Sequence, residues 1–600
     1  MKALGRLNKY IWRYKGLLLF GIFCVLISNL FGIYPPQVVR SAIDLVGDLV
    51  KINTLHEGFE AKASVVSLIS GSLIIFSILT ISLALLRGVF LFMMRQTLIV
   101  MSRKVEFDLR NDMYAHYQEL SLSFYRKNRT GDLMARITED VGRVRMYLGP
   151  GIMYTINTLS LMVIVVITMI TVNPQLTLFT ILPLPLLSVL IYYVENKVLK
   201  RSDKIQEQMS RLTAFTQEIY SGIRVTKAYT REKDFGKKFA AESEEYKVRS
   251  MQLIRLNAYF FPAVLVLVGL STALLVWVGA EKVIGGSLTV GNIAEFIIYV
   301  NMLTFPIISI GWVTSLTQRA AASQQRINEF LDEKSEIVFA DTDHKISAAR
   351  IEFDNVCLSY PSTGFEALHN VSFSLLPGQK LGILGPTGSG KSSLCNLIPR
   401  LFDPTSGSIL IDGRDIRTYS KANLRNEIGY APQDVFLFSE SIFDNVAFGL
   451  PGATQTQVEL ATQRAGVYEN IVGFPEGFQT VIGERGVTLS GGQKQRLALA
   501  RAWVANPKLL ILDDSMSAVD TKTEELILGH LRQAREERPE MSVIMVSHRV
   551  STIQDADLIV VIEGGRIIEQ GNHVALLEKN GYYAAIHGKQ LIEKEYTTDG

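Results

Sequence analysis

The sequence has few cysteines and few charged residues for its length. Only three of its 600 residues are cysteine, and they are too scattered for a disulfide framework or a zinc site. Charged residues make up 20% of the chain and hydrophobic residues 48%, whereas a soluble protein carries about a quarter charged residues. The net charge of +3 is too small to indicate a nucleic acid partner. The composition therefore predicts that part of the chain lies in lipid.

The first half of the chain contains apolar stretches long enough to cross a bilayer, which takes about 20 residues of helix. Met146–Val194 is long enough for two spans, with a turn at Thr171–Gln175. Single spans are expected at Gly16–Val39, Ala63–Leu86, Leu256–Ala280 and Val290–Gln318. The first of these is too long for a cleaved signal peptide. The sequence predicts six membrane-spanning helices followed by a soluble half.

The distribution of basic residues predicts the orientation of these spans. Arg95–Arg145 holds ten Lys and Arg residues and Lys197–Arg255 holds fourteen, whereas the other connections have few. By the positive-inside rule, both basic connections and the N-terminus face the cytoplasm of a cell inner (plasma) membrane. Both connections show helical periodicity, and their turning points, near Ser121–Asp132 and Thr213–Lys227, are expected to contact a soluble domain.

A phosphate-binding loop follows the apolar run Lys380–Leu384. It matches the pattern G-x-x-x-x-G-K-[ST] at every fixed position. In this pattern backbone N–H groups surround the phosphates, the lysine reaches the β- and γ-phosphates, and the hydroxyl ligates Mg²⁺. The candidate ATP-binding residues here are Gly385, Pro386, Thr387, Gly388, Ser389, Gly390, Lys391, Ser392 and Ser393.

A second nucleotide-site element is the apolar run Leu509–Leu512, which ends in Asp513 and Asp514. A carboxylate at the end of such a buried strand can hold Mg²⁺ through water, opposite Ser392. Between the two elements lies the LSGGQ segment, which consists of Leu489, Ser490, Gly491, Gly492 and Gln493.

With LSGGQ between a phosphate loop and an apolar strand that ends in Asp, the chain resembles the ATP-binding cassette (ABC) transporters. Six spans followed by one cassette resemble an exporter half-transporter. The resemblance implies an all-α six-span transmembrane domain at residues 1–330 and an α/β P-loop nucleotide-binding domain at 350–590. A linker at 331–349 joins them, and 591–600 form a tail. It also implies an ATPase coupled to transport.

The resemblance assigns further roles residue by residue. Tyr360 corresponds to the aromatic that stacks on adenine, Gln433 to the glutamine that contacts Mg²⁺, and His548 to the histidine at the γ-phosphate. The LSGGQ segment would complete the ATP site of a second subunit. The remaining family segments are matched by Gly483–Gly486, which would touch the coupling helices, and by Ser517 and Asp520 in the loop between the two sites.

The chain departs from the family at Asp514, where a glutamate normally polarises the attacking water. The aspartate keeps the carboxylate but withdraws it by one methylene, which should slow hydrolysis without preventing ATP binding. We therefore expect a heterodimer, in which this LSGGQ segment completes a competent site on a second ABC half-transporter.

The sequence says little about the cargo. Arg40, Arg87 and Glu295 are charges at or near membrane depth, where charges tend to mark function. Glu295 is the candidate for contacting a cationic or polar ligand, whereas both arginines can also snorkel to the interface. A lipophilic or amphipathic small molecule is the expected cargo. Lipid flippase, peptide exporter and a non-transporting regulator or channel remain alternatives.

Overall fold

The computed structural model describes residues 2–55, 62–361, 363–483, 486 and 489–598. The chain divides into two compact units, and each is described by itself below. The first unit comprises Met1–Tyr117 and Gly131–Glu333, and the second comprises Gln118–Thr130 and Lys334–Gly600. A short segment of the first half of the chain, Gln118–Thr130, thus belongs to the second unit.

The first half of the chain is helical. After a 3₁₀ turn at Lys2–Leu7, its helices are α1 (Asn8–Arg13), α2 (Lys15–Leu55), α3 (Lys62–Glu119), α4 (Leu122–Lys127), α5 (Thr130–Ala135), α6 (Val141–Met146), α7 (Ile152–Val172), α8 (Pro174–Ile181), α9 (Leu184–Ser221), α10 (Ile223–Ala228), α11 (Glu232–Ile284) and α12 (Val290–Asp332). Two π-helical segments, Arg136–Asp140 and Tyr147–Gly151, connect α5, α6 and α7 into one long run.

Six long apolar helical segments are present in the described residues, as the sequence predicts. Their bounds are Lys15–Lys51, Ile69–Glu119, Thr130–Val172, Pro174–Ser221, Glu232–Ile284 and Val290–Asp332. The turn predicted at Thr171–Gln175 is present, because Asn173 is extended and its side chain caps α8 by accepting from Leu176 N. Pro35 and Pro36 lie inside α2, a position that neighbouring helices make tolerable in a membrane.

The helices run well beyond the bilayer. α3 has 58 residues, so it is about 87 Å long at 1.5 Å per residue, against about 30 Å of hydrocarbon. The two basic connections are therefore helical extensions of the spans, as predicted. Their turning points are the short helices α4 and α10, which lie in the ranges that the sequence indicated.

The second unit contains two sheets. Its strands are β1 (Ile351–Ser359), β2 (Glu366–Leu375), β3 (Lys380–Leu384), β4 (Ser406–Ile411), β5 (Arg414–Asp415), β6 (Ile428–Ala431), β7 (Leu509–Asp513), β8 (Ser542–Val546), β9 (Leu558–Glu563) and β10 (Arg566–Gly571). One sheet has the order β2-β1-β4-β5 with antiparallel neighbours. The other has the order β10-β9-β3-β8-β7-β6, in which only β10 is antiparallel to its neighbour.

Helices surround these sheets. They are α13 (Lys391–Leu397), α14 (Lys421–Arg425), α15 (Ile442–Ala447), α16 (Gln455–Arg464), α17 (Tyr468–Val472), α18 (Gly491–Trp503), α19 (Thr521–Glu537), α20 (Val550–Ile553), α21 (His573–Glu578) and α22 (Tyr582–Thr598). The last helix continues past residue 590, where the sequence suggested a tail. All residues of β3, β7 and β8 are buried, as expected of parallel strands that are covered on both faces.

The end of the segment between α12 and β1 is hydrogen-bonded to one carboxylate. It has no helix or strand from Glu333 to Arg350, close to the linker predicted at 331–349. Asp412 accepts hydrogen bonds from Ser347 N at 2.6 Å, Ser347 Oγ at 2.9 Å, Ala348 N at 3.1 Å and Arg350 N at 3.0 Å. Burial alone would raise the pKa of the Asp412 carboxyl, but these hydrogen bonds outweigh it and lower the pKa.

We predict that Asp412→Ala lowers the stability of the second unit by about 1–2 kcal/mol, since hydrogen bonds to a charged acceptor are lost. Because the folded pKa lies below the unfolded value, this contribution is complete above about pH 5 and disappears as the pH falls through the folded pKa. Thermal unfolding of wild type and variant at neutral and acidic pH measures the difference. Asp412→Asn keeps an acceptor without the charge and serves as the control. Because Asp412 has φ +53°, which alanine tolerates less well than aspartate or asparagine, a difference between wild type and Asp412→Asn that persists at low pH would contradict the assignment.

Candidate nucleotide-binding site

The phosphate loop leaves the carboxyl end of β3 and can be built only with glycine at two positions. Gly385 has φ +157° and Gly390 has φ +103°. A Cβ at Gly385 would collide with the carbonyl oxygen of Ile562, and one at Gly390 would lie 2.5 Å from that of Ala367. The loop therefore approaches its neighbours backbone to backbone, which leaves its own N–H groups available at the start of α13.

Lys391 folds back over this loop. Its Nζ donates to the carbonyl oxygens of Gly385 at 2.8 Å and Pro386 at 2.7 Å. Burial lowers the pKa of the ammonium, while Asp514 and Asp513 act in the opposite direction. The Ser389 Oγ is buried and has no hydrogen-bond partner among the described residues. An anion in the loop would give both groups an acceptor, so the residues present fit a phosphate.

The acidic residues and their partners meet at the ends of neighbouring parallel strands. Asp513 ends β7 and accepts from Ser392 Oγ at 3.1 Å. Gln433, which follows β6, has its Nε2 3.5 Å from Asp514 Oδ2, and His548, which follows β8, has its Nε2 3.6 Å from the same oxygen. A cavity of about 200 Å³ is lined by these side chains together with Thr387, Gly388, Gly390, Lys391, Ser392 and Ser393.

Asp514 is held in an unusual backbone conformation. Its φ is +48°, in the left-handed region that non-glycine residues rarely adopt but that aspartate tolerates better than most. Its N–H donates to Val546 O at 3.2 Å. Burial raises the pKa of its carboxyl, and His548, Lys391 and Gln433 oppose this effect. Burial outweighs these groups, so the pKa of the Asp514 carboxyl stays above its usual value.

The donor set fits Mg²⁺ bound together with a nucleotide. Burial raises the pKa of the Asp513 carboxyl, while its hydrogen bond from Ser392 lowers it. No group of three or more His, Cys, Asp and Glu side chains that could hold a metal occurs in the described ranges. This agrees with an ion held by one carboxylate, a hydroxyl and substrate phosphates, which is how Mg²⁺ usually binds.

Tyr360 lies beside the phosphate loop and is fixed in place on several sides. Its hydroxyl is 2.8 Å from Ser393 Oγ, and its ring packs edge-on against Phe402 with centroids 5.2 Å apart. The guanidinium carbon of Arg126 lies 4.9 Å from the Tyr360 ring centroid and 4.8 Å from that of Phe402. Arg126 belongs to α4, and Leu122 of the same helix packs against the core of this unit.

The sequence predicted that the turning segment around α4 contacts a soluble domain, and the structure places it there. The segment that it indicated contains Arg126, but no signal in the sequence pairs that arginine with Tyr360. The sequence did not indicate Phe365, which also lines the cavity and lies outside every motif.

The LSGGQ segment is the N-terminus of α18 and is closed by a capping box. Ser490 Oγ accepts from Gln493 N at 3.3 Å, and Ser490 N donates to Gln493 Oε1 at 2.9 Å. A Cβ at Gly492 would lie 2.7 Å from the Ala518 carbonyl oxygen. The LSGGQ residues do not line the cavity around Lys391 in the described chain. One chain thus presents the phosphate loop and the N-terminus of α18 at separate places.

The loop after Asp514 ties the two elements together. Ser517 Oγ donates to Asp514 O at 3.0 Å and accepts from Gln495 Nε2 at 3.0 Å. Gln495 Oε1 also accepts from Ala518 N at 2.9 Å, a link that the sequence did not indicate. Asp520 caps α19 by accepting from Thr523 N at 3.0 Å, which lowers its pKa.

Two predicted elements lie outside this cluster. Within the segment Gly483–Gly486, Glu484 and Arg485 fall outside the described residues. Glu295 belongs to the first unit, where it is fully buried on α12.

Comparisons with known proteins agree along the whole chain. A family model described as "ABC transporter transmembrane region" matches residues 18–307, and one described as "ABC transporter" matches residues 368–517. Multidrug resistance-like ATP-binding protein MdlA of Escherichia coli K12 is 37% identical over 495 residues, which are 82% of this chain and 83% of MdlA.

Two further matches cover nearly the full length. The probable multidrug resistance ABC transporter ATP-binding/permease protein YheI of Bacillus subtilis 168 is 34% identical over 599 residues, 99% of this chain and 98% of YheI. The structure of a bacterial Atm1-family ABC exporter with ATP bound aligns with a TM-score of 0.76 at 27% identity, covering 96% of this chain and 98% of that chain.

We predict that Tyr360→Ala weakens ATP binding about fivefold or more, because base–aromatic stacking contributes about 1–3 kcal/mol. Tyr360→Phe keeps the ring and loses only the hydroxyl contact with Ser393, so its affinity should stay within about threefold of wild type. Binding of a fluorescent ATP analogue to the purified protein measures both. Equal affinities of the alanine variant and wild type would show that the base lies elsewhere.

Proposed function

The chain belongs to the ABC exporters, which couple ATP hydrolysis to export across a membrane, and we propose that it is one half of a heterodimeric exporter of lipophilic or amphipathic compounds. The observation that carries this proposal is the position of Asp514. It occupies the place of the catalytic base in an otherwise complete set of site residues. Membership of the family also implies a dimer and a multi-pass membrane protein that binds ATP.

The proposed ATP site uses the residues at the carboxyl ends of β3, β6, β7 and β8. Lys391 leaves the carbonyl oxygens of its own loop and binds the β- and γ-phosphates, and Tyr360 stacks on the adenine. Ser392, Gln433 and Asp513 hold Mg²⁺, the last of them through water. Bound Mg²⁺ neutralises phosphate charge and orients the γ-phosphate for transfer.

Asp514 is proposed as the general base and His548 as the group that contacts the γ-phosphate. The Asp514 carboxylate accepts from Gln433 Nε2 at 3.5 Å, and His548 Nε2 lies 3.6 Å from the same oxygen. A water must come within about 2.6–3.2 Å of its base. Since aspartate reaches one methylene less far than glutamate, this site hydrolyses ATP slowly.

A second subunit is proposed to complete each site. The LSGGQ helix terminus is intact and already capped, and in its own chain it lies outside the cavity around Lys391. It is therefore suited to bind the γ-phosphate of ATP held by another chain. We propose that the partner carries glutamate after the aspartate that corresponds to Asp513. The intact LSGGQ segment of this chain would then complete the faster of the two ATP sites. Ser517 and Asp520 lie in the loop between the two sites.

Coupling to the spans is proposed to run through α4. Arg126 contacts the adenine-binding tyrosine directly, and the chain continues from α4 into the second and third spans in both directions. Closure of the cassettes around ATP would then favour one arrangement of the spans over the other. The N-terminus and the nucleotide-binding unit face the cytoplasm, and the membrane is the cell inner membrane.

The decisive experiment measures ATP hydrolysis and ATP-dependent uptake of a lipophilic dye into inside-out vesicles for this chain expressed alone. We expect rates close to those of Lys391→Ala, with ATP binding retained in the unmutated protein. Asp514→Glu should raise hydrolysis about tenfold or more, because general-base catalysis contributes factors of about 10²–10⁴.

The mass of the purified protein and an Asp514→Asn variant complete this test. Asp514→Asn is nearly isosteric and removes the base, so it should be as slow as the Lys391→Ala blank. A stable homodimer whose wild-type turnover equals that of Asp514→Glu would refute both the weak base and the need for a second half-transporter.

We further predict that Arg126→Ala retains ATP binding within about threefold but reduces stimulation of hydrolysis by cargo, measured in the assembled transporter. ATP binding should be retained because a cation over an aromatic face contributes only about 0.5–1 kcal/mol at an exposed site. Stimulation should fall because the lost contact is the one that joins α4 to the nucleotide site. Arg126→Lys keeps the charge without the planar group, so its stimulation by cargo should lie between those of wild type and Arg126→Ala. Full stimulation of the alanine variant would exclude Arg126 from coupling.

A further inference from the structure

A cavity inside the first unit lies between three of the long helices. It has a volume of about 400 Å³ and is lined from α3, α7 and α12, which places it within the usual range of small-molecule sites. One face of α3 supplies Arg87 and Arg95. The facing helices supply Asn157 and Asn301 as uncharged polar groups.

The charged groups of this cavity are of one sign. Its lining includes both guanidinium groups and no carboxylate. Arg87 Nε is buried and has no hydrogen-bond partner among the described residues, and neither arginine forms an ion pair with another described residue. The group lies against Gly32 of α2, where a Cβ would come within 3.3 Å of Arg87 Cζ. The Arg87 guanidinium group thus lies at membrane depth without a counterion among the described residues.

The nearby acidic candidate is already neutralised. Glu295 Oε2 lies 3.5 Å from Arg40 Nη1, and Glu295 Oε1 accepts from the Tyr299 hydroxyl at 2.9 Å. Arg40 also lies 3.8 Å from Asp44, whose Oδ1 accepts from Gly291 N at the start of α12. This network joins α2 to α12, and both oxygens of the Glu295 carboxylate take part in it. A contact of Glu295 with cargo, expected from the sequence, would have to break it.

The rest of the cavity is apolar. Met94, Met153 and Leu161 line it, and Phe305 contributes an aromatic ring. Tyr154 packs edge-on against Trp312 with ring centroids 5.4 Å apart. Methionine side chains adapt to ligands of different shapes. The cavity therefore offers a cationic end and an apolar body.

We propose that this cavity binds an amphipathic anion, with the acidic group held by Arg87 and Arg95 and the apolar part among the methionines and aromatic rings. The proposal rests on the exporter function above and narrows its cargo to compounds with a phosphate or carboxylate group. An unpaired cation in a medium of low dielectric gains more from an anion than it would in water. Guanidinium groups without an ion-pair partner among the described residues are suited to hold the acidic group.

The test compares two amphiphiles with the same acyl chain in the full-length protein in neutral detergent. Oleoyl lysophosphatidic acid carries a net negative charge, whereas oleoyl lysophosphatidylcholine does not. Displacement of a fluorescent lysophosphatidic acid should show at least tenfold tighter binding of the anionic probe. Inorganic phosphate alone should not displace it at millimolar concentration, because the apolar contacts are missing.

Variants assign the preference to this cavity. The double variant Arg87→Gln with Arg95→Gln should lower the affinity for the anionic probe about tenfold. Its affinity for the zwitterionic probe should be unchanged. Arg87→Lys keeps the charge and should retain part of the preference, which guards against a fold defect in the double variant. Arg103→Gln, on the same helix but paired with Glu106 at 3.1 Å, is the matched control and should bind as wild type.

Equal affinities of the two probes, or a preference that survives the double variant, would overturn this inference. Displacement by phosphate alone would assign the site to a free anion instead of an amphiphile. ATP-dependent transport of the anionic probe by the assembled transporter is measured with the same variants. A charge preference without any ATP-dependent transport would refute the exporter function and leave the cavity assignment intact.

Discussion

Parallel pairing of β3, β8, β7 and β6 is the constraint on which the nucleotide site depends. Each strand delivers one functional segment at its carboxyl end: the phosphate loop, His548, the pair Asp513 and Asp514, and Gln433. These segments are separated by up to about 160 residues in the chain, and hydrogen-bonded register brings them to one sheet edge. The buried apolar strands make this register rigid, so the cavity is formed before any ligand enters.

The predictable parts of the molecule are those that a short stretch of sequence specifies. Six apolar stretches, the glycines of the phosphate loop and the apolar strand before Asp513 each show their structure locally, and the observed elements follow them. Helix ends were harder to predict, because the polar residues after an apolar stretch do not show where the helix stops: α12 continues to Asp332, past the apolar stretch that ends at Gln318. The helix α22 runs through the expected tail for the same reason.

Contacts between distant segments could not be predicted. Nothing in the sequence places Arg126 on Tyr360, or Gln495 on Ser517, although each lies in or beside a segment that the sequence singles out. The partnership of Arg40 with Glu295 joins residues that are 255 positions apart. It turns a charge that looked available for cargo into part of the helix packing, while Arg87, which could equally have reached the interface, faces an internal cavity.

The capping box of the LSGGQ helix has a consequence for how binding energy is used. Ser490 Oγ accepts a hydrogen bond from the backbone, which leaves the hydroxyl proton free to be donated outward. The first turn of α18 is therefore ordered before a phosphate arrives, and little conformational entropy is lost when it does. In the proposed arrangement of two chains, most of the free energy of contact would then drive closure, so a subunit with the proposed slow site would still close firmly on its partner.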